Sequence, residues 1–193
     1  MIRRSIVLAA VLAVVALPAC GTDSAGDSAS AVSISPDATF NTADVMFAQG
    51  MIPHHEQAIE MADIALDPTV GAGADVIDLA TRIKAAQDPE VAQMTTWLTE
   101  WGQPLAMDMS DGHTMAGMEG MLTADEMDAL AELRGADFDR AWMEGMIRHH
   151  EGAIVMADEV TAKGKDPGVR ALAAAIITAQ RAEIDEMRAL LGS

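Results

Sequence analysis

Between residues 42 and 66 the apolar positions return at helical spacings. Phe47, Met51, Ala58 and Ala62 share one stripe, with Asp44, His54 and His55 on or beside it, while Glu56 and Glu60 point away. The spacing predicts a first helix over Thr42–Leu66, then a loop at Gly71 and Gly73. A second helix is predicted over residues 75–101, stopped by Gly102-Gln103-Pro104. Pro89 lies inside it and predicts a kink, or a break at which Asp88 becomes a new N-cap. Thr123-Ala124-Asp125-Glu126 reads as a capping box that opens a short helix, with Gly135 closing it. A third long helix over residues 137–163 repeats the first stripe with Trp142, Met146, His150, Ala153 and Ala157. Asp166-Pro167 caps a fourth that runs almost to Leu191. No segment sustains strand alternation, so the expected class is all-α.

The stripes belong to an internal repeat. Residues 44–63 and 139–158 agree at 12 of 20 positions, and both contain the frame Met-Ile-x-His-His-Glu-x-Ala-Ile-x-Met-Ala-Asp. Ile83, Gln87, Glu90, Val91 and Met94 are echoed by Ile176, Gln180, Glu183, Ile184 and Met187. The repeating unit is thus a His-His helix, a loop and a Gln-x-x-Glu helix. Two units give four long helices, too few for a solenoid. The expected packing is a four-helix bundle of two pseudo-symmetric helix pairs, with a linker and a short extra helix between them.

What precedes the first helix reads differently. Residues 1–4 are a short basic start and residues 6–17 an apolar run too short to span a bilayer, as in a secretory signal. Leu17-Pro18-Ala19-Cys20 resembles a bacterial lipobox, in which Cys20 becomes the lipidated first residue. The expected organisation is a signal peptide over residues 1–19, a Ser-, Ala-, Asp- and Gly-rich tether over residues 20–39, and one helical domain over residues 40–193. Cys20 is the single cysteine, so no intramolecular disulfide can form. Loss of residues 1–19 removes Arg3 and Arg4 and no acid, taking the formal charge from −18 to −20. Such a surface repels nucleic acid and favours cations and cationic partners, and it also keeps an extracytoplasmic protein in solution.

Four of the five histidines lie in the two repeat copies. In each copy the Met, the two His and the Asp seven residues before the Met fall within about one third of the helix circumference, at ~100° per residue. Met51 with His55, and Met146 with His150, are i,i+4 pairs able to reach one ion; His54 and His149 stand beside them. Imidazole nitrogen and thioether sulfur together suit copper, the thioether selecting Cu(I). The plainer alternative makes the histidines hydrogen-bonded core residues and the methionines packing.

Residues 107–121 hold Met107, Met109, Met115, Met118, Met121 and the fifth histidine, His113, among glycines and acids. Core methionines come with Leu, Ile and Val, and these do not. The spacing fits a site of two or three thioethers, against the alternative of a greasy lid over the bundle. Gln87 with Glu90, and Gln180 with Glu183, are i,i+3 pairs on the partner helices, suited to orienting His N–H groups or simply solvated. Asp44 and Asp139 could assist the same sites or serve the helix N-termini, the latter favoured.

At these residues the chain resembles the DUF305 family, marked by a doubled Met-x-x-His-His-x-x-Ala-Ile-x-Met-Ala motif and a Met-rich linker before the second copy. The resemblance covers residues 42–191. It maps the pattern onto Met51, His54, His55, Met61, Met146, His149, His150 and Met156, with Pro53 at a position usually polar. It implies a secreted or lipid-anchored four-helix protein of ferritin-like appearance, with copper binding and copper tolerance in some members. The expectation is a lipid-anchored extracytoplasmic protein that sequesters or hands over Cu(I), and Cu(II) through its histidines. Other divalent metals suit this donor set less well. A membrane contact through Cys20 and a copper-handling protein are the expected partners. The alternatives are a metal-dependent oxidoreductase and an interaction module without metal. No nucleophile–base pair stands out, and the chain has no tyrosine.

Overall fold

The computed structural model describes residues 34–107 and 119–192, and in them five helices and no strand: α1 (Thr42–Leu66), α2 (Ala74–Glu100), α3 (Ala124–Glu132), α4 (Gly135–Lys163) and α5 (Pro167–Leu191). The leader, Cys20, most of the tether, and Met109, His113, Met115 and Met118 lie outside the described residues. α1 packs on α2 and α4 on α5, the two pairs meet along α1 and α4, and α3 rests on α4. The all-α bundle of two helix pairs expected from the repeat is the observed fold. Among the described residues no helix is long and apolar enough to cross a membrane.

The bundle has two apolar cores. Ala58, Met61, Ala62 and Ala65 of α1 join Phe138, Trp142 and Met146 of α4 in one; Phe47, Ala48 and Met51 join Ala153, Met156 and Val160 in the other. The late part of α1 therefore meets the early part of α4, so these helices run antiparallel, with the His-His positions between the cores. The repeat maps one core on the other. Met51, Met94 and Met156 lie in one, and their counterparts Met146, Met187 and Met61 in the other. The Trp142 indole N–H donates to the Met61 carbonyl at 2.9 Å and fixes the register of α4 on α1.

Each unit is also latched to the other's loop. Asp44 Oδ2 accepts from Asn41 N in a capping box, and from Lys165 N and Asp166 N between α4 and α5 at 3.0 and 3.1 Å. Asp139, its repeat counterpart, accepts from Gly73 N with both oxygens, at 3.0 and 3.1 Å.

Two boundaries differ from the sequence reading. α2 is continuous through Pro89, and Asp88 lies within it rather than capping a new helix. Pro89 and Ala85, whose carbonyl loses its usual main-chain donor, are both exposed, so that carbonyl faces solvent while Ile83, Gln87 and Met94 stay buried on the opposite face. Gly135 does not close α3, which ends at Glu132 with Leu133 as C-cap; it is the first residue of α4. Its φ of +57° makes the turn between the two helices, and its N–H donates to the Val70 carbonyl at 3.0 Å.

Candidate metal centre

The four repeated histidines meet where α1 crosses α4, and all are fully buried. α1 runs unbroken through Pro53, so His54 and His55 leave it on the faces the helical period demands. The His54 and His149 ring centroids are 3.8 Å apart at an interplanar angle of 47°, and His150 lies 6.2 Å from His149.

Hydrogen bonding fixes most of the ring protons. His55 Nε2 donates to Glu90 Oε2 at 2.8 Å, and His150 Nε2 to Glu183 Oε2 at 2.7 Å, the same pairing in both repeats. His54 Nε2 donates to the Glu119 carbonyl at 3.1 Å. Carbonyl and carboxylate oxygens only accept here, so these three rings carry a proton on Nε2. None of these three Nδ1 atoms has a partner, nor has either ring nitrogen of His149. Of the eight such unpartnered buried side-chain atoms among the described residues, five are these nitrogens; two more are Gln87 Oε1 and Gln180 Oε1. Each left unpaired costs about 1–3 kcal/mol, a penalty that a bound ion would relieve. Burial drives the His54 pKa down to about 3, helped by His55 and His150 and opposed by the Glu119 carbonyl. Burial, then His54, lowers that of His149 well below the usual imidazole value, against a main-chain contact from His54 that falls short of a hydrogen bond. Both rings are neutral at pH 7 and offer lone pairs with no proton to displace.

Among the described residues no three of His, Cys, Asp and Glu stand as a ready cage. The close pair is His54 with His149, a two-nitrogen arrangement. Met51 and Met146 are fully buried one turn from the histidines, each within one of the two cores. Met107 and Met121, at the two ends of the Met-rich linker, are half-buried. Gln87 and Gln180 are buried one turn before the glutamates that hold His55 and His150. Asp44 and Asp139 make no described bond to a histidine. Their latches lie ten residues from His54 and His149, roughly 15 Å along the helix, which places them at the bundle ends rather than around an ion. Glu119 was not foreseen, because a main-chain carbonyl leaves no mark in a side-chain pattern.

A bundle built from two copies of one helix pair, with two copies of one His-His motif facing each other inside, defines a class of duplicated all-α histidine proteins. The chain belongs to the DUF305 family, described as a domain of unknown function, whose model matches residues 44–191. It is similar to a DUF305 protein of Streptomyces coelicolor named as a candidate secreted protein, with 31% identity over 78% of this chain and 92% of that one, at a TM-score of 0.71. It is also similar to CopM in its Cu(II)-bound form, with 34% identity over 77% of this chain and 95% of that one, at a TM-score of 0.63. Cu(I)-bound, Ag-bound and metal-free CopM superpose comparably. The mimivirus protein L153 of Acanthamoeba polyphaga mimivirus shares 42% identity over 53 residues, 28% of this chain and 35% of that protein.

Proposed function

We propose that this protein binds copper outside the cytoplasm and sequesters it or hands it over. The observation that carries the reading is the pair His54 and His149, buried, neutral and with unpartnered ring nitrogens at the centre of a two-fold bundle. CopM, named in Cu(I), Cu(II) and Ag forms, supports it. Imidazoles accept either copper oxidation state, while the thioethers of residues 107–121, with Met51 and Met146 behind the histidines, favour Cu(I). Glu90 and Glu183 hold His55 and His150 in one tautomer, as carboxylates behind metal-bound histidines do.

In this reading residues 1–19 direct export, a lipid on Cys20 anchors the chain, residues 20–39 form the tether, and residues 40–193 carry the metal. The partner that receives copper is another copper-handling protein. The test is metal analysis of the purified domain offered copper, zinc and iron in competition. Copper should be retained over zinc and iron, and His54→Ala with His149→Ala should abolish nitrogen-ligated Cu(II). Equal retention of zinc, or full Cu(II) binding by the double variant, overturns the assignment.

A further inference from the structure

The repeat fails at one informative place. Gln57 of the first copy corresponds to Gly152 of the second, and both positions serve the segment by which the linker returns to the bundle. Gln57 grips that segment with two bonds, its Nε2 donating to the Leu122 carbonyl and its Oε1 accepting from Leu122 N, each at 2.8 Å. Gly152 serves it by having no side chain. A Cβ there would lie 1.8 Å from the Glu119 carbonyl oxygen, and a Cβ on Gly120 would lie 2.3 Å from the Arg148 carbonyl. Gly120 also has a φ of +82°. Two glycines facing each other let the Glu119–Gly120 turn lie directly on the α4 backbone, which puts the Glu119 carbonyl on His54 Nε2. Outside the turn is an open cleft lined by Met121, Val155, Arg148 and two ion-paired acids, Glu126 with Arg148 and Glu151 with Arg188. The cleft and the His54–His149 pair are thus separated by this strap.

We infer that the Glu119–Leu122 strap is the entry gate of the histidine centre, a reading that rests on the copper-binding function proposed above. All four rings are fully buried, so an ion reaches them only when something moves. The other walls are long helices interlocked through two apolar cores. The strap is a turn whose Leu122 end is seated in one apolar core and gripped through its backbone by one glutamine, while its Glu119–Gly120 end is held by the bond to His54. A cation met by the Met121 thioether at the cleft passes when the strap lifts. When it closes, the Glu119 carbonyl again holds the Nε2 proton of His54 and leaves Nδ1 as the donor. Among the described residues the strap bonds to His54 and not to His149, so the two histidines of the pair differ in what holds them although the repeat makes them equivalent in position.

The experiment follows Cu(II) entering the metal-free domain, by rapid mixing and the visible and electron-spin signals of nitrogen-ligated copper. Thioethers are poor Cu(II) ligands, so with His113→Ala in every protein compared this signal reports the bundle histidines alone. Gln57→Ala deletes both bonds to Leu122 without adding an atom, and two net hydrogen bonds correspond to roughly a ten- to hundredfold shift in opening. Uptake should accelerate by about that factor, with the final stoichiometry of the wild type. Gly152→Ala pushes the strap outward and should act in the same direction; should it fail to fold, Gln57→Ala decides alone. Uptake by Gln57→Ala at the wild-type rate overturns the gate. A wild type that never shows nitrogen-ligated copper, while its linker still takes up Cu(I), instead overturns the histidine centre itself.

Discussion

The His54 and His149 rings lie 3.8 Å apart, centroid to centroid, on helices that the repeat makes equivalent, yet only His54 has a hydrogen-bond partner. A pair this close and this deeply buried, with so many nitrogens unpartnered, is poor core material. Imidazoles that existed only to fill space would be replaced at a gain by leucine.

This gives the first prediction. His149→Leu removes two unpartnered buried nitrogens and substitutes a side chain of similar bulk. The metal-free protein should melt at or above the wild-type temperature, because a group of similar shape in place of an unsatisfied polar one is neutral or stabilising. Nitrogen-ligated Cu(II) should be lost. A marked fall in melting temperature with copper binding intact assigns the histidine to packing.

Acid should destabilise the metal-free protein. The folded-state pKa of His54 is depressed from 6.5 to about 3, and that of His149 is also lowered by burial. Below pH 6.5 the unfolded chain therefore binds more protons than the folded one. The stability these neutral rings confer is complete above pH 6.5 and is lost progressively as the pH falls from there toward 3, by a few kcal/mol in all. Urea melts between pH 7 and 4 check it, and His54→Leu with His149→Leu should flatten the curve.

Glu183→Gln removes the negative charge behind His150 while leaving an oxygen able to accept from its Nε2. Copper affinity should fall by roughly tenfold, the low end for partners behind metal-bound histidines. The equivalent Glu90→Gln should do the same through His55. Titration against a competing chelator measures both, and unchanged affinities would remove the glutamates from the centre.

Replacing Met107, Met109, Met115, Met118 and Met121 by Leu keeps size and apolarity and removes every sulfur from the linker. Cu(I) stoichiometry should drop while stability of the metal-free protein shifts by under ~1.5 kcal/mol, since the swap nearly conserves volume. Unchanged Cu(I) binding makes the linker a lid.

Cys20→Ser should move the protein from the membrane fraction to the aqueous one, or leave it uncleaved. Identical partitioning of wild type and variant removes the lipid anchor.

The repeat made much of this architecture readable. α1 begins where the apolar stripe does, at a capping box whose two residues, Asn41 and Asp44, are near neighbours in sequence. That Glu90 and Glu183 could orient His N–H groups was legible because both recur at corresponding places in the repeat; which histidine each holds, His55 and His150, emerged only from the packing. Pro89 misled because its cost depends on which side of α2 faces water, and that is set by packing. Gly135 misled because a glycine with positive φ can end one helix or begin the next. The strap stayed hidden for another reason: it works through a carbonyl and two missing side chains, although the Gln57–Gly152 mismatch did mark the place.

The mismatch also shows what having both units on one chain makes possible. Two separate helix pairs meeting about a true two-fold axis would present identical surfaces, and any change made for one side would appear on the other. Asp44 and Asp139 still latch in that mirrored manner, each to the loop of the opposite unit. Covalent linkage frees the halves to diverge. One half can keep a glutamine to grip a passing segment while its twin gives up a side chain to seat it, so a centre with symmetric walls acquires a front and a back.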